Sequence, residues 1–272
     1  MKKQVVIIGA AGRMGKALVN GIATGVVPEL ELVGAVDLSS IPDQGKDIGE
    51  LAGAGHIGVN LTSNLPALVS PGRIFIDFSF HSGIAERGEV LSQQTTCWVI
   101  GTTGLSPDEQ ADVSRIAGKI PVVFSPNMSL GVNLLAALVE KTAAALANNG
   151  YDIEILERHH RKKVDAPSGT ALYLGESAAR GAGWKLDDVA QHGREGIREG
   201  DRPVQEIGFH SFRGGDLAGD HTVTFAADGE LIELSHRATS RDTFAIGALR
   251  AAGWLAGKPA GLYTMNDVLG LS

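Results

Sequence analysis

The sequence predicts an α/β protein in two parts: a doubly wound parallel sheet, then an α+β unit with a mixed or antiparallel sheet. Three observations predict it. Short apolar, β-branched runs alternate with amphipathic stretches up to about residue 128. A glycine-rich turn follows the first of these runs directly. After Asn127 the texture changes to long helical segments and closely spaced strand-like runs.

In the first part, strands are expected at 4–8, 30–36, 73–78, 97–100 and 121–124, continuous runs suited to burial on both faces of a parallel sheet. One helix announces its own start. Ser106-Pro107-Asp108-Glu109 places a Ser N-cap before Pro at N1 and Glu at N3, a capping box. In the second part, a helix at 129–148 leads into a strand within YDIEILERHH, and a second helix follows Ser168. A charged glycine-rich loop at 192–203 precedes strand-like runs at 204–212, 221–227 and 231–236. The amphipathic helix at 242–257 is compatible with either unit.

Composition narrows the function. The chain of 272 residues has a formal net charge of -7, which speaks against the broad basic surface that nucleic-acid backbones require. No apolar run reaches the ~18 residues of a membrane span. The apolar run at the start breaks into a glycine motif rather than a cleavage site, so it is not read as a signal peptide. The single Cys97 cannot form an intramolecular disulfide, which fits a reducing compartment. A soluble cytoplasmic protein without nucleic-acid or membrane partners is expected.

The first chemical signal is VVIIGAAGRMG, with Gly9, Gly12 and Gly15 between a strand and the mouth of a helix. Such a turn lets backbone approach a pyrophosphate and aims helix N–H groups at it. Asp37 closes the second strand, where a carboxylate accepts from a ribose 2′-hydroxyl. Together these predict a nicotinamide dinucleotide site. Asp37 is followed by Leu38, Ser39 and Ser40, with no basic partner for a 2′-phosphate, so NADH is the preferred cofactor. NADPH remains the alternative because Arg13 stands in the turn. IGTTG at 100–104 and SPNMSLGVN at 125–133 end two later strands, which makes Thr102, Thr103 and Asn127 candidates to hold ribose and nicotinamide amide. Ordinary turn chemistry explains them equally well.

The second signal is ERHHRKKVDAPSGT, 157–170, a cationic cluster in an acidic chain. It runs into a turn whose Ser168 is the expected N-cap of the next helix. Cations converging on a helix N-terminus describe a pocket for a carboxylate or phosphate. Histidines beside a lysine add proton-transfer capacity. A solvated charged loop is the ordinary alternative. Arg158 and Lys162 are read as solvated.

These strings resemble the 4-hydroxy-tetrahydrodipicolinate reductase (dihydrodipicolinate reductase) family along essentially the whole chain. The resemblance rests on GAAGRMG at 9–15, IDFS at 76–79, IGTTG, SPNMSLGVN and, most specifically, HHRKKVDAPSGTA at 159–171. It also covers IGFHSFRGGDLAGDHTV at 207–223 and WLAGKPAGLYTMNDVL at 254–269. The resemblance implies a Rossmann-like dinucleotide-binding domain at 1–128 and 241–272. It implies a substrate-binding and oligomerisation domain at 129–240, with an open mixed sheet, in a homotetramer. It implies NAD(P)H-dependent reduction of a cyclic imine-type dicarboxylate to tetrahydrodipicolinate with loss of water, in the diaminopimelate and lysine pathway. By that resemblance His159 is the acid/base and Lys163 the proton donor. His160, Gly169 and Thr170 grip substrate carboxylates, with Arg161 and Ser168 nearby. The cofactor lies on Gly9, Ala10, Ala11, Gly12, Arg13 and Met14, on Asp37, on Gly101, Thr102 and Thr103, and on Ser125, Pro126, Asn127 and Met128. Leu38 and Phe80 stand where some members carry a basic residue and an arginine, which keeps the NADH preference.

Other chemistries fit less well. The Tyr-x-x-x-Lys of short-chain dehydrogenases fails, because Ile155, Ser177 and Asp267 follow the three tyrosines at that spacing. Cys97 begins an apolar strand and reads as a structural thiol rather than a nucleophile. His159, His160 and His192 among arginines make a poor cation site, so no metal is expected. A dinucleotide-sensing binding protein is the non-enzymatic rival.

Overall fold

The computed structural model describes residues 2–197, 199–240 and 242–271. The chain divides into two compact units. One comprises the chain up to Leu130 together with the segment from Asp242 onward, and the other begins at Gly131 and ends before Asp242.

The first unit contains β1 (Lys3–Ile8), α1 (Arg13–Ala23), β2 (Leu30–Val36), α2 (Ile48–Ala52), β3 (Leu61–Thr62) and β4 (Ile74–Asp77). It continues with α3 (Ile84–Leu91), β5 (Cys97–Ile100), α4 (Pro107–Ala117), β6 (Pro121–Phe124) and the start of α5 (Leu130–Leu146). With β12 (Gly261–Tyr263) from the chain's last segment, its strands form one parallel sheet in the order β12-β6-β5-β4-β1-β2-β3. Both faces are covered, which explains the unbroken apolar runs. One face packs Val5, Ile7, Ile76 and Val99 against α1 and a later helix. The other packs Val6, Phe75, Trp98 and Val122 against α3 and α4. Chain order reverses between β1 and β4, and that reversal point opens a crevice at the carboxyl ends of the strands. The capping box at Ser106 forms as expected, with both reciprocal hydrogen bonds present.

In the second unit, most of α5 is followed by β7 (Asp152–His159), α6 (Gly169–Ala182), α7 (Leu186–Val189) and β8 (Ala190–His192). Then come β9 (Ile207–Arg213), β10 (Gly219–Ala227) and β11 (Glu230–Ala238). The sheet order is β11-β10-β7-β9-β8, antiparallel on one side of β7 and parallel on the other, hence mixed. Ile153, Ile155, Phe209, Val223 and Phe225 form a core with Leu135, Val139, Leu174 and Ala178 from α5 and α6.

The remaining elements are α8 (Asp242–Leu255), β12 (Gly261–Tyr263) and α9 (Met265–Leu269). The sequence left α8 open to either unit. Its Ala245, Ala248, Leu249 and Ala252 lie in the apolar core of the first unit, and β12 pairs with β6. The edge strands β3 and β12 have two and three residues, too few to show a period.

Candidate active site

The crevice at the β1/β4 reversal is shaped by backbone. Gly9 turns the chain with φ 80°, and Gly15 enters α1 so tightly that a Cβ there would lie 2.2 Å from the Gly9 carbonyl oxygen. Gly12 caps α1 without a side-chain hydrogen bond, and the first turn carries no acid. The helix start therefore presents positive dipole with no internal anion. Asp37 leaves β2 and accepts from the Ala11 N–H (2.9 Å, Oδ2) and the Leu38 N–H (2.9 Å, Oδ1). A groove of about 440 Å³ joins the turn, Arg13, Met14, Asp37, Leu38 and the 78–82 loop. Glycines that admit no Cβ, an acid-free helix start and a carboxylate at the strand end fit a dinucleotide.

The loop after β4 is held by an ion pair that sequence reading missed. Asp77 is fully buried and accepts from Arg87 Nε at 2.8 Å, while Ser79 donates to it through both N–H and Oγ. Arg87 also donates to the Phe80 and Ser82 carbonyls at 2.7 and 3.2 Å. Although it lines the groove, its guanidinium is committed to the loop. The signal was an Asp ending an apolar strand, with an Arg one helix later.

The next two loops are pre-shaped. Gly101 admits no side chain, because a Cβ would lie 2.2 Å from the Phe78 ring. Thr102 is buried and donates to the Ser79 carbonyl at 3.2 Å, whereas Thr103 is exposed. Ser125 is buried and donates to the Asn127 carbonyl, and the Asn127 side chain accepts from the Ser129 N–H at 2.8 Å. Pro126 is exposed and Met128 belongs to the core. Ala10 is likewise buried. Cys97 is buried in β5, and burial pushes its thiol pKa up, the state of an inert structural thiol.

In the second unit, strand alternation places the chemistry. Along β7, Ile153, Ile155, Glu157 and His159 face the helices, and Arg158 faces away. The carboxylate of Glu157 accepts from His159 Nδ1 at 2.5 Å and from the Ser168 N–H at 3.1 Å. Two bonds from Arg213, of 2.7 and 2.6 Å, complete its shell. Burial works to raise its pKa, but Arg213, Ser211 and His159 overcome that and hold it at about 2. Burial chiefly, then the Lys163 and Arg213 cations, lowers the pKa of His159 against the pull of Glu157.

Ser168 is the N-cap of α6 and accepts from the Ala171 N–H at 3.1 Å, as its sequence position predicts. Its hydroxyl also meets His221 Nε2 at 3.0 Å, and its N–H is used by Glu157. Ser168 is therefore committed to the framework, and the Gly169 N–H in the first turn of α6 is taken by the Asp165 carboxylate. Lys163 Nζ lies 2.8 Å from the half-exposed Asp165 carboxylate. His160 and Arg161 are tied by backbone to the 215–217 segment. Arg158 keeps 42% of its side chain exposed and lies 3.7 Å from Asp220, its cross-strand partner, which Arg237 holds at 2.8 Å from the other side. Lys162 is exposed. No group of three or more candidate metal ligands occurs among the described residues, and no described helix is long and apolar enough to cross a membrane.

Burial first, then the His159 neighbour, pushes His221 down from 6.5 to about 4. Glu157 and His221 both bind fewer protons folded than unfolded, so each contributes stability that acid removes. His221 loses its contribution as pH falls from 6.5 toward about 4, and Glu157 from 4.5 toward about 2. The melting temperature is expected to fall in two stages on acidification, the upper one smaller in His221→Gln because only the depressed His159 and His236 then remain in it. A single stage common to both proteins would contradict this assignment.

A doubly wound sheet with a glycine turn at its reversal point, in a chain whose second unit carries a histidine–lysine loop at a helix start, defines a pyridine-nucleotide-dependent oxidoreductase. Residues 3–128 match the dihydrodipicolinate reductase N-terminus family and residues 131–269 the C-terminus family. The 4-hydroxy-tetrahydrodipicolinate reductase of Anaeromyxobacter sp. (strain Fw109-5) is 48% identical over 98% of this chain and 97% of its own length. That of Alkalilimnicola ehrlichii (strain ATCC BAA-1101 / DSM 17681 / MLHE-1) is 48% identical over 100% of both. Among solved structures, dipicolinate-bound dihydrodipicolinate reductase from Paenisporosarcina sp. TG-14 superposes with a TM-score of 0.77 at 25% identity, covering 98% of this chain and 99% of that one. The chain belongs to the dihydrodipicolinate reductase family.

Proposed function

We propose that this chain reduces 4-hydroxy-tetrahydrodipicolinate to tetrahydrodipicolinate, a step of diaminopimelate and lysine biosynthesis, with NADH preferred over NADPH. The observation that carries the reading is that His159, Lys163 and the first turn of α6 follow one another along a single loop. A bound reduced nicotinamide supplies the hydride. Gly9–Met14 and Asp37 of the first unit would hold the dinucleotide, with the 101–103 and 125–128 loops at the same sheet edge. In the second unit, the Gly169 and Thr170 amides, His160 and Arg161 bind the substrate carboxylates. Lys163 delivers a proton, and His159 serves as the acid/base. Asp165 neutralises Lys163 until a substrate carboxylate replaces it.

The cofactor preference is supported by Asp37, by Leu38 and Phe80 in place of cations, and by the commitment of Arg87 to Asp77. The expected result is oxidation of NADH by purified protein given the condensation product of pyruvate and aspartate semialdehyde. kcat/KM should be higher with NADH than with NADPH. NADH binding without turnover would sink the enzymatic reading, and a higher kcat/KM with NADPH would reverse the cofactor assignment.

We read the protein as a cytoplasmic homotetramer. Among the described residues, helices pack on one face of the mixed sheet, and the other carries Leu231 and Phe212 exposed. Light scattering after size exclusion measures the assembly, and a monomer would refute it.

A further inference from the structure

A fully buried carboxylate on the apolar face of a strand is costly unless it is paired and hydrogen-bonded. Glu157 occupies such a position, in line with Ile153 and Ile155, yet no step above uses it. Its partners are unusually informative. Oε2 meets His159 Nδ1, and Oε1 accepts the Ser168 N–H at the start of α6. Arg213 reaches it bidentately from the end of β9, opposite His159 in the parallel register. The same guanidinium donates to the Asp165 carbonyl at 2.5 Å. One carboxylate thus joins the histidine ring, the helix start and, through Arg213, the loop that carries Lys163.

We propose that Glu157, locked by Arg213, is the positioning residue of the substrate site. It accepts the proton on His159 Nδ1 and so leaves Nε2 as the nitrogen that exchanges protons with a ligand. In the same contact it registers the Gly169–Thr170 turn against that ring. A carboxylate behind a histidine fixes tautomer and orientation without itself touching substrate. Gly219 gives the ring its room, since a Cβ there would stand 3.1 Å from Nε2. The groups facing His159 are Glu157, Lys163, Arg213 and, edge-on at 5.1 Å, His221. Of these only Glu157 is an anion. Its removal is expected to move the His159 titration to lower pH.

The role in turnover rests on the reductase reading, so the test has arms that do not. In ligand-free protein, proton NMR with labelled histidine should show a low-field imidazole N–H resonance that His159→Asn abolishes. Glu157→Gln should shift that resonance upfield. Binding of pyridine-2,6-dicarboxylate, measured by calorimetry across pH, should weaken about tenfold or more in Glu157→Gln, with the pH at which affinity is lost on raising pH displaced downward. In the kinetic arm, kcat should fall about 10-fold to 100-fold with KM for NADH unchanged, and Glu157→Asp should restore part of it. If Glu157→Gln does not fold, Arg213→Lys keeps the carboxylate and loosens its lock, and an intermediate loss of kcat is expected. An unshifted resonance, or wild-type dicarboxylate binding with an unmoved pH profile, overturns the proposal. Absence of turnover by the wild type would remove the reductase reading while the NMR and calorimetric arms still decide the role of Glu157.

Discussion

Lys163→Ala is expected to lower kcat about 10²-fold to 10⁴-fold, the range for removing a positioned proton donor, with NADH affinity nearly unchanged. Lys163 stands in the loop between His159 and α6, where its ammonium already holds a carboxylate, that of Asp165 at 2.8 Å. A substrate carboxylate meets the same cation, so loss of the side chain also weakens binding. Lys163→Arg separates the two contributions. Arginine keeps the charge but does not release a proton near neutrality, so KM should recover more than kcat. Stopped-flow and steady-state assays of both variants supply the measurement. Turnover in Lys163→Ala equal to wild type would remove Lys163 from the chemistry.

Gly15→Ala is expected to raise the NADH dissociation constant at least about tenfold and to cost about 1–3 kcal/mol of stability through overpacking. The added Cβ would sit 2.2 Å from the Gly9 carbonyl oxygen and 2.5 Å from the Ala10 Cα, and both neighbours are backbone. Relief requires α1 to withdraw from the turn that presents its N–H groups. Gly25→Ala is the contrasting case. Gly25 has φ 73° with open space around a built Cβ, so its substitution should lower stability while leaving cofactor affinity intact. Fluorescence titration with NADH and thermal melts distinguish the two. Unchanged affinity in Gly15→Ala would mean that the glycine turn does not carry the cofactor.

Much of the fold is legible because its causes are local. The β-branched runs, the Ser106 capping box and the Ser168 N-cap each depend on residues a few positions apart, and each forms where the sequence places it. The strands shorter than four residues, β3, β8 and β12, were not legible, since pairing with a neighbour rather than their own pattern makes them strands. The Arg158–Asp220 pair was not legible, because Asp220 lies on another strand. Glu157 is an instructive omission. Its spacing from Ile153 and Ile155 puts an acid on an apolar face, a signal visible in the sequence. Its reason is not visible there, because Arg213 lies on β9 and arrives only through the parallel register with β7.

By itself, the sequence determined the parallel sheet, the glycine turn with Asp37 beyond it, and the crowding of His159, His160 and Lys163 before a helix start. Helical and strand periods, capping and turn chemistry act over a few residues, and side-chain types are printed in the chain. Only the tertiary structure decided which ends of those elements meet. Sheet register set Arg213 against Glu157, and the return of the chain through α3 brought Arg87 to Asp77. A buried charge is tolerated only beside its counter-charge, and that neighbour is chosen by packing of the whole domain.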